Sequence, residues 1–93
     1  MFYVYILISL KDRKVYIGFT SDLKIRIKQH KEGRVKSTSK RLPIELIYYE
    51  CYIKEDDAKR NEKYYKTTKG RLDLRKKLKA VLEKYKYGTI AQR

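Results

Sequence analysis

Phe2 to Ser9, FYVYILIS, is apolar at both alternating sets of positions. That is the pattern of a strand buried on both faces and central in its sheet. Lys11-Asp12-Arg13-Lys14 interrupts with charge, and Val15 to Phe19 is apolar again. Two such runs joined by a short polar loop predict an antiparallel hairpin. With Leu7 opposite Tyr16, the pleat sets Tyr5 and Tyr16 on the same face, one diagonal step apart. A slip of one residue would separate the two rings. Past Thr20-Ser21-Asp22 the period lengthens to that of a helix, with Ser21 or Asp22 as its N-cap and Gly33 as its stop after about Glu32. At about 100° per residue, Leu23, Ile27 and His30 fall in a narrow arc with Arg26 at its edge, and Ile25 points away.

Arg34 to Pro43, RVKSTSKRLP, is basic, rich in hydroxyls and closed by proline. It reads as a loop in which Arg34, Lys36, Lys40 and Arg41 are spaced for phosphate contacts. Ile44 to Ile53 predicts a third strand. Glu55-Asp56-Asp57 then places acid at a helix start, where the macrodipole favours it. In this second helix Ala58, Glu62 and Tyr65 share a face at i, i+4 and i+7, so a carboxylate sits in the middle of the side turned inward. Thr67 to Gly70 reads as a break. A third helix from about Leu72 carries Leu74, Leu78, Val81, Leu82 and Tyr85 on one stripe, and Gly88 ends it. There is no internal repeat and no linker.

Composition narrows the function classes. Residues 1–93 are expected to form one domain, since a chain this short buries only a little over ~60% of its unfolded surface. An apolar content of 42% suits a globular fold rather than a disordered tail. Lys and Arg number 25 against 11 Asp and Glu, a formal charge of +14. Self-repulsion on this scale points to a polyanionic partner, nucleic acid first. An anionic membrane surface is the weaker alternative, because no basic amphipathic anchor stands apart from the fold. The single Cys51 cannot form an internal disulfide, no Cys/His cluster has zinc spacing, and Cys51 reads as a small buried strand residue. The opening apolar run is far too short for a membrane span and lacks the features of a signal peptide, so a cytoplasmic protein is expected.

Taken singly, the polar candidates have ordinary explanations. Tyr5 and Tyr16 belong to a set of 10 tyrosines, and strands favour that residue. Gly18 can serve close strand packing, Arg26 can be a solvated helix residue, and His30 a satisfied histidine. Glu62 can pair with Lys66 or Lys59 one turn away. Their conjunction carries more information. Tyr3-Val4-Tyr5, then Tyr16-Ile17-Gly18, then Arg26 eight residues past that glycine, then a helical Glu62, resembles the GIY-YIG endonuclease superfamily across most of the chain. The likeness is greatest to small single-domain members related to the nuclease part of the excision-repair endonuclease subunit. In those members Y-I-G-x-T-x-D-L recurs, here Tyr16 to Leu23, and an R-P strand start follows, here Arg41 to Pro43 with Leu42 inserted. His30 matches a histidine of the homing-endonuclease branch. Tyr3 stands where the first motif has glycine, and Phe19 where repair members carry lysine.

The resemblance implies an α/β fold, a three-stranded antiparallel sheet flanked by about three helices. It also implies hydrolysis of a nucleic-acid phosphodiester with one divalent metal, Mg²⁺ or Mn²⁺. Glu62 would be the protein ligand, and a single carboxylate is enough for Mg²⁺, which keeps waters and substrate oxygens in its other positions. Arg26 and His30 would hold the charge developing on phosphorus. A tyrosine would be the base, Tyr5 first with Tyr16 placing the water, although the two roles are interchangeable on sequence alone. A free phenol near ~10 is a poor base at neutral pH, and neighbouring cations would bring the phenolate closer to range. The expected substrate is DNA, recognised by structure rather than sequence. A nucleic-acid-binding module without chemistry, and a nuclease subunit to which a protein partner delivers substrate, are the competing readings.

Overall fold

The computed structural model describes residues 1–85, so the expected helix stop at Gly88 lies outside the described residues. The order is β1 (Phe2–Ser9), β2 (Val15–Thr20), α1 (Leu23–Lys31), β3 (Ile44–Tyr52), α2 (Glu55–Tyr65), α3 (Thr68–Lys77) and α4 (Lys79–Glu83). The three strands form one antiparallel sheet in the order β2-β1-β3. This is the expected α/β architecture with four helices in place of about three. β1 is central and Val4 through Ser9 are buried, as its unbroken apolar run requires. The hairpin pairs Leu7 with Tyr16 and Tyr5 with Gly18, the register that sets Tyr5 and Tyr16 on one face.

Two cores follow from the pleat. On one face Val4 and Ile6 meet Ala58, Tyr65, Leu74 and Leu78, so α2 and the helices after it cover that side. On the other, Tyr5, Leu7 and Ile44 meet Leu23 and Ile27 of α1. Asp22 caps α1 by accepting from the Ile25 N–H at 3.1 Å. Gly33, at φ 77°, turns the chain away after it. Ile25 is exposed, as the helical phase dictates.

Three expectations are corrected. Cys51 is exposed rather than buried, because β3 is an edge strand and short α1 leaves its far end uncovered. The break after α2 is confined to Lys66–Thr67: Thr67 caps α3 through the Gly70 N–H, and Gly70 lies inside the helix. A Cβ on Gly70 would come within 1.9 Å of the Tyr64 carbonyl oxygen, so glycine there lets α3 fold back tightly on α2. The third helix begins at Thr68, not near Leu72. It is divided at Leu78, whose φ −106° and ψ 22° interrupt the helical path.

Candidate active site

Tyr5 is placed by the central strand, and its ring extends over the backbone of Gly18 on β2. A Cβ at position 18 would lie 2.2 Å from Tyr5 Cζ and 2.3 Å from its hydroxyl oxygen, so the glycine is the space the phenol occupies. The ring is 3% exposed. Its hydroxyl lies 2.9 Å from His30 Nε2 and accepts from Arg26 Nε at 3.4 Å. Helical spacing sets both partners on the inner side of α1. Arg26 is steadied by donating to Gln29 Oε1 at 3.2 Å, and the two rings meet edge to face at 5.5 Å.

His30 is 3% exposed and has its second nitrogen, Nδ1, 2.7 Å from the hydroxyl of fully buried Thr38. Burial, with the Arg26 charge as a smaller contribution, pushes its pKa down from 6.5 to about 4. The imidazole is therefore neutral near pH 7 and bonded at both nitrogens. That arrangement suits it to hold the Tyr5 phenol. A neutral, enclosed ring offers no net positive charge.

Glu62 reaches the same place from α2. Tyr5, Tyr16, Gly18, Arg26, His30 and Glu62 all line one hollow of about 320 Å³ along the β2 edge of the sheet. The Glu62 side chain is 22% exposed and accepts from Lys66 Nζ at 3.0 Å, one turn on. The donor set offered to a cation is thus one carboxylate with phenolic hydroxyls nearby. Among the described residues no group of three or more His, Cys, Asp or Glu side chains is placed to enclose a metal. A hard cation that keeps its waters fits such a set, and a fully protein-ligated one does not.

The loop cations stand elsewhere. None of Arg34, Lys36, Lys40 and Arg41 lines the hollow. Arg34 is paired with Glu32 and Arg41 with Asp12, both at 3.3 Å, and Lys36 and Lys40 are exposed. Their neutral neighbours Val35, Ser37 and Thr38 line the hollow instead. Thr38 and Lys66 were therefore missed as site residues. The hydroxyl run Ser37-Thr38-Ser39 was the available signal for the first, and the i, i+4 relation to Glu62 for the second.

A second polar cluster was also missed. On the opposite face of the sheet, Glu50 accepts hydrogen bonds from the hydroxyls of Tyr48, Tyr52 and Tyr65 and from Lys77 Nζ, and Asn61 of α2 donates to Tyr52. Burial raises the Glu50 carboxyl, but the three phenols and Lys77 together outweigh it and leave it lowered. Burial and the bond to Glu50 push Tyr52 and Tyr65 up to about 12. The sequence signal was Glu50 set between Tyr48 and Tyr52 at period two in β3.

The chain matches the GIY-YIG catalytic domain over residues 1–79, a span that holds every residue of the hollow. A UPF0213 protein of Bacillus licheniformis is 34% identical over 91 residues, covering 97% of this chain and 89% of that protein. A UPF0213 protein of Streptococcus pyogenes serotype M5 is 39% identical over 70 residues, with 74% of this chain and 75% of that protein covered. One from Bacillus pumilus is 38% identical over 74 residues, covering 77% and 74% respectively. No solved structure gives a significant match.

Proposed function

Because the chain belongs to the GIY-YIG family, the catalytic domain of nucleases, we propose that it is an endonuclease that uses a divalent metal, Mg²⁺ or Mn²⁺, to hydrolyse phosphodiester bonds. The observation that supports this most is that Tyr5, Arg26 and Glu62, on three separate elements, line one hollow. DNA is the proposed substrate, chosen by its structure, and the net charge of +14 favours any such polyanion.

The proposed chemistry starts at Tyr5. Arg26 Nε and His30 Nε2 are both within hydrogen-bonding distance of its oxygen. With Thr38 donating to Nδ1, the neutral ring carries its proton on Nε2, and two N–H donors then converge on the Tyr5 oxygen. As the base, Tyr5 in its ionised form takes a proton from a water that Tyr16 helps to place. The water oxygen forms the new bond to phosphorus as the bond to the 3′ oxygen breaks. Arg26 stabilises charge on the phosphoryl oxygens, where a fixed guanidinium is worth most. His30 acts here as a positioning residue, not as a cation on the phosphate. A divalent cation held by Glu62 would supply charge stabilisation to the departing oxygen.

Among the described residues no helix is long and apolar enough to cross a membrane. We place the protein in the cytoplasm, with a protein partner that delivers substrate as an optional part of its action. Glu62→Gln tests the reading. Cleavage of a panel of branched, single-stranded and linear DNA with Mg²⁺ or Mn²⁺ should vanish, while binding measured in chelator stays within about twofold. Cleavage by Glu62→Gln at the wild-type rate would remove Glu62 from the chemistry.

A further inference from the structure

A larger groove lies beside the hollow, on the side of β2 that faces α3. Its volume is about 1130 Å³, and it shares Tyr16, Ile17 and Lys66 with the hollow, so the two are continuous. Its apolar base is half-buried Val15, Ile17 and Leu82, with Leu74 and Leu78 buried beneath them. Cations stand round the rim: Arg13 and Lys14 from the hairpin turn, Arg71 and Arg75 from α3, and Lys66 at the junction. Among the described residues no carboxylate lines it. Of these five, only Lys66 is paired with an acid among the described residues.

An apolar base inside a cationic rim is an unusual pair of features to leave open together. A duplex presents phosphates outward and keeps its bases stacked inside, so it would use the rim and leave the apolar base idle. An unpaired strand exposes both parts: phosphates for the arginines and lysines, and base faces for an apolar surface. The groove also exceeds the ~300–1,000 Å³ of pockets for drug-sized ligands, which suits a short run of chain rather than one small molecule. A second copy of this protein is disfavoured, because it would bring the same excess of positive charge.

We propose that this groove holds an unpaired nucleic-acid strand adjoining the scissile phosphate, with bases against Val15, Ile17 and Leu82 and phosphates on Arg13, Lys14, Arg71 and Arg75. The inference rests on the nuclease reading for its orientation toward the hollow, and it names the substrate class as nucleic acid with a single-stranded arm.

The test uses fluorescence anisotropy of the full chain in chelator, with a labelled short oligothymidine and a blunt duplex of equal length at fixed ionic strength. Arg71→Gln with Arg75→Gln should weaken the single strand at least about tenfold and the duplex far less. Lys76→Gln with Lys79→Gln removes the same charge from exposed positions that do not line the groove. That control should change both probes equally and slightly. Circular dichroism and urea unfolding confirm that both variants fold. Equal effects of the two variants, or tighter binding of the duplex than of the strand, would overturn the groove assignment. So would a dimer in sedimentation velocity that the Arg71/Arg75 change disrupts, since a second copy would then fill the groove. Failure here leaves cleavage by wild type and its loss in Glu62→Gln untouched, and the converse failure leaves the binding difference intact.

Discussion

His30 is the chain's sole histidine, so its ring protons give one unambiguous NMR signal to follow with pH. In the folded protein it is enclosed, bonded to Tyr5 and Thr38, and depressed from 6.5 to about 4. Above about pH 6.5 the folded and unfolded chains both carry a neutral ring and the group adds no pH dependence. Between about 6.5 and 4 the unfolded chain binds a proton that the folded one refuses, so stability falls as the pH falls through this window. Below about 4 both forms are protonated and the loss levels off. At about 1.4 kcal/mol for each tenfold change in proton affinity, the full loss is roughly 3 kcal/mol, a large share of the ~5–15 kcal/mol typical of a small domain. The lowered carboxyls of Asp12 and Glu50 also destabilise the fold in acid, but only as the pH drops below their ordinary values of 3.8 and 4.5. The histidine window is therefore separable. The expected NMR midpoint is about 4. Urea unfolding should show wild type losing roughly 3 kcal/mol more than His30→Gln between about pH 7 and pH 4. A midpoint near 6.5, or parallel losses in the two proteins, would show that the ring is solvated and does not hold Tyr5.

Gly18→Ala should drive the phenol of Tyr5 from its place, since the new methyl would lie 2.2 Å from Cζ. The expected result is a fall in kcat of about 10²-fold with a stability loss of ~1–3 kcal/mol, read by cleavage assay and urea titration; wild-type kcat would mean the ring is not needed where it lies. Lys66→Ala removes an i, i+4 pair from Glu62 worth only about 0.3–0.5 kcal/mol. Half-saturating Mg²⁺ for cleavage should therefore fall by about twofold, and an unchanged or higher requirement would place the metal elsewhere. Glu50→Gln leaves the donors of Tyr48, Tyr52, Tyr65 and Lys77 poorly matched. The urea midpoint should fall by the equivalent of about 2–3 kcal/mol with an unchanged m value, whereas a neutral substitution would mean the phenols find water instead.

What could be read from sequence was whatever period and punctuation control. The polar break between Phe2–Ser9 and Val15–Thr20 made the hairpin legible, and its register is held because a one-residue slip would turn Tyr5, Leu7 and Tyr16 away from α1. The cap at Asp22 and the turn at Gly33 bounded α1 for equally local reasons. Contacts made across the fold were out of reach. Three consecutive hydroxyls follow Lys36, and nothing local distinguishes Thr38, which meets His30, from Ser37 and Ser39. Gly70 looked like a helix breaker because glycine is a poor helix former; the carbonyl of Tyr64, brought close by the tertiary packing, reverses that reading. Cys51 was misread as buried because a strand pattern does not say which end of an edge strand its covering helix reaches.

The distribution of charge separates capture from chemistry. Around the hollow the side chains that hold the Tyr5 phenol, the proposed base, are Arg26, which is fixed by Gln29, and His30, which is neutral. The surplus cations stand outside it, on the rim of the neighbouring groove and along the exposed faces of the helices. Rim cations act through counterion release and are screened by salt. The enclosed contacts at Tyr5 are largely screened from ions. Salt should therefore raise KM steeply and leave kcat nearly constant, whereas changes at Gly18 or His30 should lower kcat with little effect on the salt dependence of binding. A kcat that fell in step with KM as salt rose would mean that the same mobile surface charges serve both steps, and the division drawn from the geometry would be wrong.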